Sequence, residues 1–394
     1  MTSTRFATLG LLGIAAGIGC SSVIIEDGVH RTTGGGGTSD TPGTTDDEET
    51  PCDAPSACVP AQTEIEICLD GTLVRERTCG VECAWSEWTA CGSQTDCQDG
   101  ETITLPCDEN GQQPFVCSDG VWTAAGSCVV PDWLTIDAGI FHTCGIRAGG
   151  AIECWGSDQQ AQSSPPDGKF KAVSAAGYDT CALREDGTLV CWGSLAEGIA
   201  DIPEGSFDRL NLGMGQGCLM KGLSATCWGD HKYNQSDIPE GDYLMVDSGV
   251  REGCGVRTDS TLRCWGYNYY PILDDMPSGA FTTVSIGEGH ACALDPDGHP
   301  HCWGRDDYGQ AKDAPTGVAL VQISAGAEHT CGLDASGTLH CWGWNAYGQL
   351  AHPTGTFVHV TCGDYHSCAL DAQGKATCWG GGNTHGELDV PAAP

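Results

Sequence analysis

Positive charge is scarce in this chain. Only 17 of its 394 residues are Lys or Arg, against 53 Asp or Glu, for a formal charge of −36. A field of that sign repels phosphate backbones and anionic headgroups, so nucleic-acid binding and electrostatic attachment to a membrane are excluded. Charged residues of both signs amount to only 18%, too few for a set of long solvent-facing helices. Catalytic signatures are missing too: the chain has no G-x-S-x-G elbow, HExxH, phosphate loop or spaced acidic calcium loop. Abundance lies elsewhere, in 57 glycines, about twice the usual share, and 26 cysteines. The glycines imply many turns and short strands. So many cysteines form a sensible framework only in an oxidising compartment, which implies export. The length suggests two or three domains.

Residues 1–19 combine one positive charge, Arg5, with an apolar run from Phe6 to Ile18, the architecture of a signal peptide. The run ends in Gly19-Cys20-Ser21-Ser22, which resembles the lipobox of bacterial lipoproteins, and that resemblance makes Cys20 the lipidated residue. The alternative is an uncleaved anchor, since Phe6 to Ile25 is uncharged, although its Gly and Ala content makes a weak span. Residues 20–51 read as a disordered tether, because EDGVHRTTGGGGTSDTPGTTDDEETP has no apolar periodicity.

Residues 52–131 form a small cysteine-rich module in which covalent links stand in for a core. Cys58, Cys68, Cys79 and Cys91 align with Cys97, Cys107, Cys117 and Cys128, leaving Cys52 and Cys83 as a candidate extra pair. Each four-cysteine unit keeps three possible connectivities. Trp85-Ser86-Glu87-Trp88 resembles the WSxW motif of thrombospondin type 1 repeats, but Arg75 and Arg77 precede the tryptophans here instead of following them.

From residue 132 the tripeptide CWG occurs seven times, at Cys154, Cys191, Cys227, Cys264, Cys302, Cys341 and Cys378. Partner cysteines precede each copy: Cys144, Cys181, Cys218, Cys254, Cys292, Cys331 and Cys368, spaced 36 to 39 residues apart. In CALREDGTLVC, placing Cys181 opposite Cys191 leaves the three-residue loop Glu185-Asp186-Gly187, with glycine where a left-handed residue is needed. The third unit is one residue shorter, and the same pairing leaves Gly222-Leu223, a type II′ loop. Ser260 is the exception to the glycine. Directly opposed cysteines in a non-hydrogen-bonded pair lie close enough for a disulfide.

Zinc fails on the same geometry. His340 and Cys341, like His301 and Cys302, are neighbours on a strand and face opposite ways, so they cannot join His329 with Cys331, or His290 with Cys292, around one ion. The recurring His142, His290, His329 and His366 read as structural, as do the seven CWG tryptophans, which suit packing between sheets. Strands with a leading aromatic precede five of the hairpins: Phe170 to Val173, Phe207 to Leu210, Tyr243 to Val246, Phe281 to Val284 and Phe357 to Val360. The last unit lacks a following one, and Trp133-Leu134-Thr135-Ile136 is its counterpart. Either that strand completes the last sheet or the boundaries fall at the chain ends. Cys362 aligns with Ala138, Ala175, Ala325 and Ile286, as a buried free thiol would.

The template AGxxHTCALxxDGTLxCWGxNxxGQ is similar to the repeats of the regulator of chromosome condensation family. The resemblance implies an all-β fold, a seven-bladed β-propeller of short three- to four-stranded blades over residues 132–394, preceded by the small disulfide-rich module. The family's nucleotide-exchange activity is not expected here, because compartment and charge both disagree. The expected function is that of an exported, surface-tethered protein-interaction module without catalytic activity, cofactor or metal. It would be a monomer in the bacterial cell envelope, held to the membrane only through its lipid and recognising an unidentified protein partner. Alternatives are a structural envelope protein without a specific ligand and a polysaccharide lyase or hydrolase, the latter requiring a cleft of perturbed carboxylates. The loop residues Tyr267, Tyr269, Tyr270 and Trp344 are the expected binding site, flanked by Asp306 and Asp307. Tyr233, Tyr308 and Tyr347 are expected to pack within the blades, and Phe141, Tyr178 and Tyr365 to lie on the opposite face.

Overall fold

The computed structural model describes residues 99–107, 110–195, 199 and 201–392, together with the strands Val23–Ile25, Thr63–Ile67 and Val74–Thr78. Cys20, the WSxW segment and most of the first four-cysteine unit lie outside the described residues. The chain divides into two units, Met1–Val130 and Pro131–Pro394.

In the first unit the three short strands above form one antiparallel sheet, and Thr102–Cys107, Gly111–Ser118 and Val121–Ala124 form another. The second sheet has a minimal core of Leu105, Phe115, Cys117 and Trp122. A Cys107–Cys128 disulfide closes it, with Cα atoms 6.0 Å apart, and Cys117 is disulfide-bonded as well. The second unit's sequence of alternating apolar positions and glycine turns produces seven three-stranded antiparallel sheets, each taken from consecutive chain. The second sheet, Phe170–Ala176, Asp179–Arg184 and Leu189–Gly193, is typical.

Local pairing follows the cysteines. Cys181 faces Cys191, Arg184 accepts from Gly187 N, and Gly187 has φ +84°. In the shorter third hairpin Lys221 faces Ser224 across Gly222-Leu223. All seven disulfides form, with Cα atoms 4.0–4.1 Å apart. Ser260 adopts φ +66°, a conformation that costs a non-glycine residue about 1–2 kcal/mol.

Each sheet packs on the next through its tryptophan. The Nε1–H of Trp192, Trp228, Trp265, Trp303, Trp342 and Trp379 donates to the main-chain oxygen of Gln162, Ile199, Gln235, Ile272, Gln310 and Gln349 in the preceding unit, at 2.8–3.2 Å. Trp155 of the first sheet donates to Glu387 O, 3.0 Å away at the end of the chain. The same wrap-around joins His366 to Thr143 at 2.7 Å, as His142 joins Thr180, His290 joins Thr330 and His329 joins Ser367. These imidazoles are fully buried and bridge sheets, which is the structural role expected of them. Ring closure is therefore by side chains and not by strand exchange: Trp133–Ala138 stays in the sheet of His142–Arg147 and Ile152–Gly156. The boundaries fall at the chain ends, and the blades are three-stranded throughout.

Candidate binding site

The first strand of every sheet lies innermost, and the ends of all seven line one axial cavity of about 130 Å³. An innermost strand is an edge strand, with N–H groups that have no ladder partner and little water near them. The chain supplies acceptors at a recurring polar position, Asp137, Ser174, Asn211, Asp247, Ser285, Ser324 and Thr361. Each side chain accepts the amide N–H of the next sheet's following residue: Ala175, Leu212, Ser248, Ile286, Ala325, Cys362 and, closing the circle, Ala138. The seven distances run from 2.6 to 3.3 Å. Asp137 additionally accepts the hydroxyls of Ser174 and Thr361, and Asp247 the amide of Asn211. Glycines two residues further on allow the sheets to close in: a Cβ on Gly363 would collide with Gly139 O, and one on Gly287 with Gly326 O.

The cavity's carboxyls are half-buried but mostly surrounded by protein. Burial raises Asp137 and lifts Asp247 to about 7, where hydrogen bonds from Ile286, Ser248 and Asn211 oppose the rise. Asp364 is also lifted to about 7, by burial and then by the nearby Glu288. Cys362 is buried and free, its thiol raised to about 11. Although His329 and Cys362 lie near Cys331, the latter is bound to Cys341 and offers no thiolate to a metal.

Around the cavity mouth, one face collects most of the exposed rings. In an antiparallel sheet the turn from first to middle strand and the exit from the third strand emerge at the same end. Phe141, Tyr178 and Tyr365 occupy the turns, and Tyr267, Tyr269, Tyr270 and Trp344 the exits, so the two groups share a face; the expectation of opposite faces is corrected. Tyr365 stacks on Phe141 at 5.3 Å and meets Trp344 at 6.0 Å. Tyr308 and Tyr347 also join, 6.0 and 5.2 Å from Trp344, and are 45% and 54% exposed. Their expected place inside the blades is taken by the following glutamines, Gln310 and Gln349, which are fully buried and accept the tyrosine N–H groups. Tyr233 is half-buried and packs 4.5 Å from Tyr267.

Arg305 joins the two halves of this arc, lying over Tyr270 at 5.1 Å and Tyr308 at 5.9 Å while bound to Glu328 and Asp307. Tyr269 is 69% exposed, whereas Ile272 is fully buried and its main-chain oxygen accepts from Trp303 Nε1. Asp306 and Asp307, the expected acidic flank, are engaged by Lys312 and Arg305. The acids at the mouth are instead the exposed Glu288 and the half-buried Asp364, a site without any motif in the sequence; only the recurring polar residue before each glycine hinted at an ordered axis.

Seven disulfide-clasped sheets around an axial cavity, with a ring-bearing loop face, define a β-propeller. Three of its repeats, residues 281–310, 320–349 and 357–387, match the model of the regulator of chromosome condensation (RCC1) repeat. A comparison with the curated proteins gives no match. Among solved structures, the chain is similar to the entire ectodomain of the receptor kinase CR4 from Physcomitrella patens, at 26% identity and TM-score 0.55, covering 62% of this chain and 73% of that one. The CRINKLY WD40 ectodomain of the Arabidopsis thaliana receptor kinase ACR4 is 20% identical, TM-score 0.52, with 66% and 100% covered. Prp20p from Saccharomyces cerevisiae, described with its binding to Gsp1p and histones, is 15% identical, TM-score 0.52, with 60% and 81% covered. The last two likenesses speak to fold alone.

Proposed function

We propose that the chain is an exported, surface-tethered protein-interaction module that binds its partner through the aromatic arc. The observation that carries this reading is the continuity of the arc from Phe141 through Trp344 and Arg305 to Tyr269 on one loop face. Tyr, Trp and Arg are the side chains that dominate binding hot spots, and here short turns and loops at the ends of disulfide-clasped strands present them. The likeness to a receptor ectodomain and the seven disulfides support a place outside the cytoplasm, with the signal peptide, Cys20 and the tether as the means of export and attachment. A structural envelope protein without a ligand has no use for so many exposed rings on a single face.

Perturbed carboxylates do occur, as the lyase or hydrolase alternative required. However, Asp137 and Asp247 are bound as links between sheets, and the cavity is well below the several hundred Å³ of usual ligand sites. Binding is the better use of this geometry. The full chain with Tyr267→Ala, Tyr270→Ala and Trp344→Ala combined should lose more than about tenfold in capture of a partner from bacterial envelope extract while keeping its melting profile. Unchanged capture would refute the arc.

A further inference from the structure

Within the arc lies a pocket of about 250 Å³ whose walls are more specific than a hydrophobic patch. Tyr267 and Tyr269 present near-parallel rings, 6.0 Å apart at 6°, and Tyr270 stands across Tyr269 at 4.9 Å and 83°. Tyr270 is braced against Gly289, where a Cβ would collide with its ring. Val250, Gly289 and Arg251, whose guanidinium already lies over Tyr267, share the lining with two carboxylates. Glu288 is exposed, whereas Glu252, the first residue of its strand, is only 3% exposed. The amide of Arg251 reaches Glu252 Oε2 at 3.1 Å, and no described residue hydrogen-bonds its other oxygen.

We propose that this pocket binds a cationic side chain, the ammonium of a lysine or the guanidinium of an arginine, carried by a basic segment of the partner protein. The inference rests on the interaction reading above and adds the chemistry of the partner. Ring faces attract cations through their quadrupole, and the arc already seats two: Arg251 over Tyr233 and Tyr267, at 5.3 and 5.9 Å, and Arg305 over Tyr270 and Tyr308. Among the described residues no cation lies over Tyr269. An anionic group would meet two carboxylates, Glu252 and Glu288, against the single guanidinium of Arg251, and an apolar one would leave a buried carboxylate oxygen without water or partner. The overall charge of −36 steers a basic partner toward the protein.

Glu252 adds a pH signature. Burial lifts its carboxyl to about 7; Arg251 opposes the rise through its amide and guanidinium, and Glu288 adds to it. A bound cation favours the ionised form, so affinity should strengthen between about pH 6 and 8.

Fluorescence anisotropy of the full chain with labelled Gly-Ser nonapeptides carrying three lysines, three arginines or three acetyl-lysines tests the pocket. The lysine and arginine peptides should bind at least about tenfold tighter than the acetylated one. Glu252→Gln, isosteric and with Gln216 already at the equivalent position, should weaken them about fivefold or more and flatten the pH dependence, and Glu288→Gln should weaken them similarly. Asp297→Asn removes one exposed charge from the hairpin loops and should change binding less than about twofold. Equal binding of lysine and acetyl-lysine peptides, or a loss with Asp297→Asn matching that with Glu252→Gln, overturns the proposal. Partner capture that survives both glutamine variants but fails in the triple aromatic variant removes the cation pocket alone and leaves the interaction module standing.

Discussion

Deleting one hairpin clasp, Cys181→Ala with Cys191→Ala, measures what the seven disulfides contribute. The bridge spans a sequence separation of 10, for which loop-closure entropy in the unfolded chain corresponds to about 3 kcal/mol. Cys181 is fully buried beside Leu183, Leu219 and Trp228, and Cys191 is partly so; losing two sulfur atoms from that cluster adds about 1 kcal/mol. A cooperative unit the size of Pro131–Pro394 unfolds with an entropy of roughly 0.55 kcal/mol/K, so about 4 kcal/mol lowers Tm by about 7 °C. Folding should persist, because the ladder from Asp179–Gly193 to Leu183–Leu189 and the Trp192 bond to Gln162 still hold the hairpin in register. Scanning calorimetry on wild type and variant reads the shift. A change under about 2 °C would show that the hairpin is already ordered in the unfolded chain; failure to fold would show that the bridges guide pairing instead of securing it.

Burial lowers His142 and His329 to about 3 and His290 and His366 to about 4, whereas an unfolded imidazole titrates near 6.5. The unfolded chain therefore gains protons first as pH falls, and stability should drop from about pH 6.5 toward 4; His329→Gln should flatten that limb of a Tm–pH profile. Asp247 has the opposite sign: raised to about 7, it contributes most below about pH 4 and loses that contribution as pH rises through 7, so Asp247→Asn should gain Tm at pH 8 relative to pH 5. Profiles parallel to wild type would refute both assignments. Ser260→Gly should raise stability by about 1 kcal/mol by relieving the left-handed serine, read as a higher urea midpoint at unchanged slope. With Cys20 acylated, 25 cysteines remain, and mass spectrometry under non-reducing conditions should find twelve disulfides and one thiol, Cys362, that resists alkylation until the protein unfolds; labelling of the native chain would contradict its burial.

Hairpin register, both loop lengths, the seven disulfide pairs and the inward tryptophans were determined by the sequence alone. All depend on residues about ten positions apart, where side-chain alternation and turn chemistry leave one solution. Cys362 was legible for a similar reason, since alignment put it among small apolar neighbours. Only the tertiary structure decided how the ring closes, because that depends on Thr361 meeting Ala138 and Trp155 meeting Glu387, contacts more than 220 residues apart. The same holds for the rings. Tyr308 and Tyr347 turn outward because the buried slot accepts Gln310 and Gln349, and Phe141 and Tyr365 join Trp344 because strand ends from different units converge at the axis mouth. The axial acids were hidden for a related reason: Asp137 and Asp247 look like surface aspartates in a strand, until the neighbouring sheet brings its unpaired amides to them.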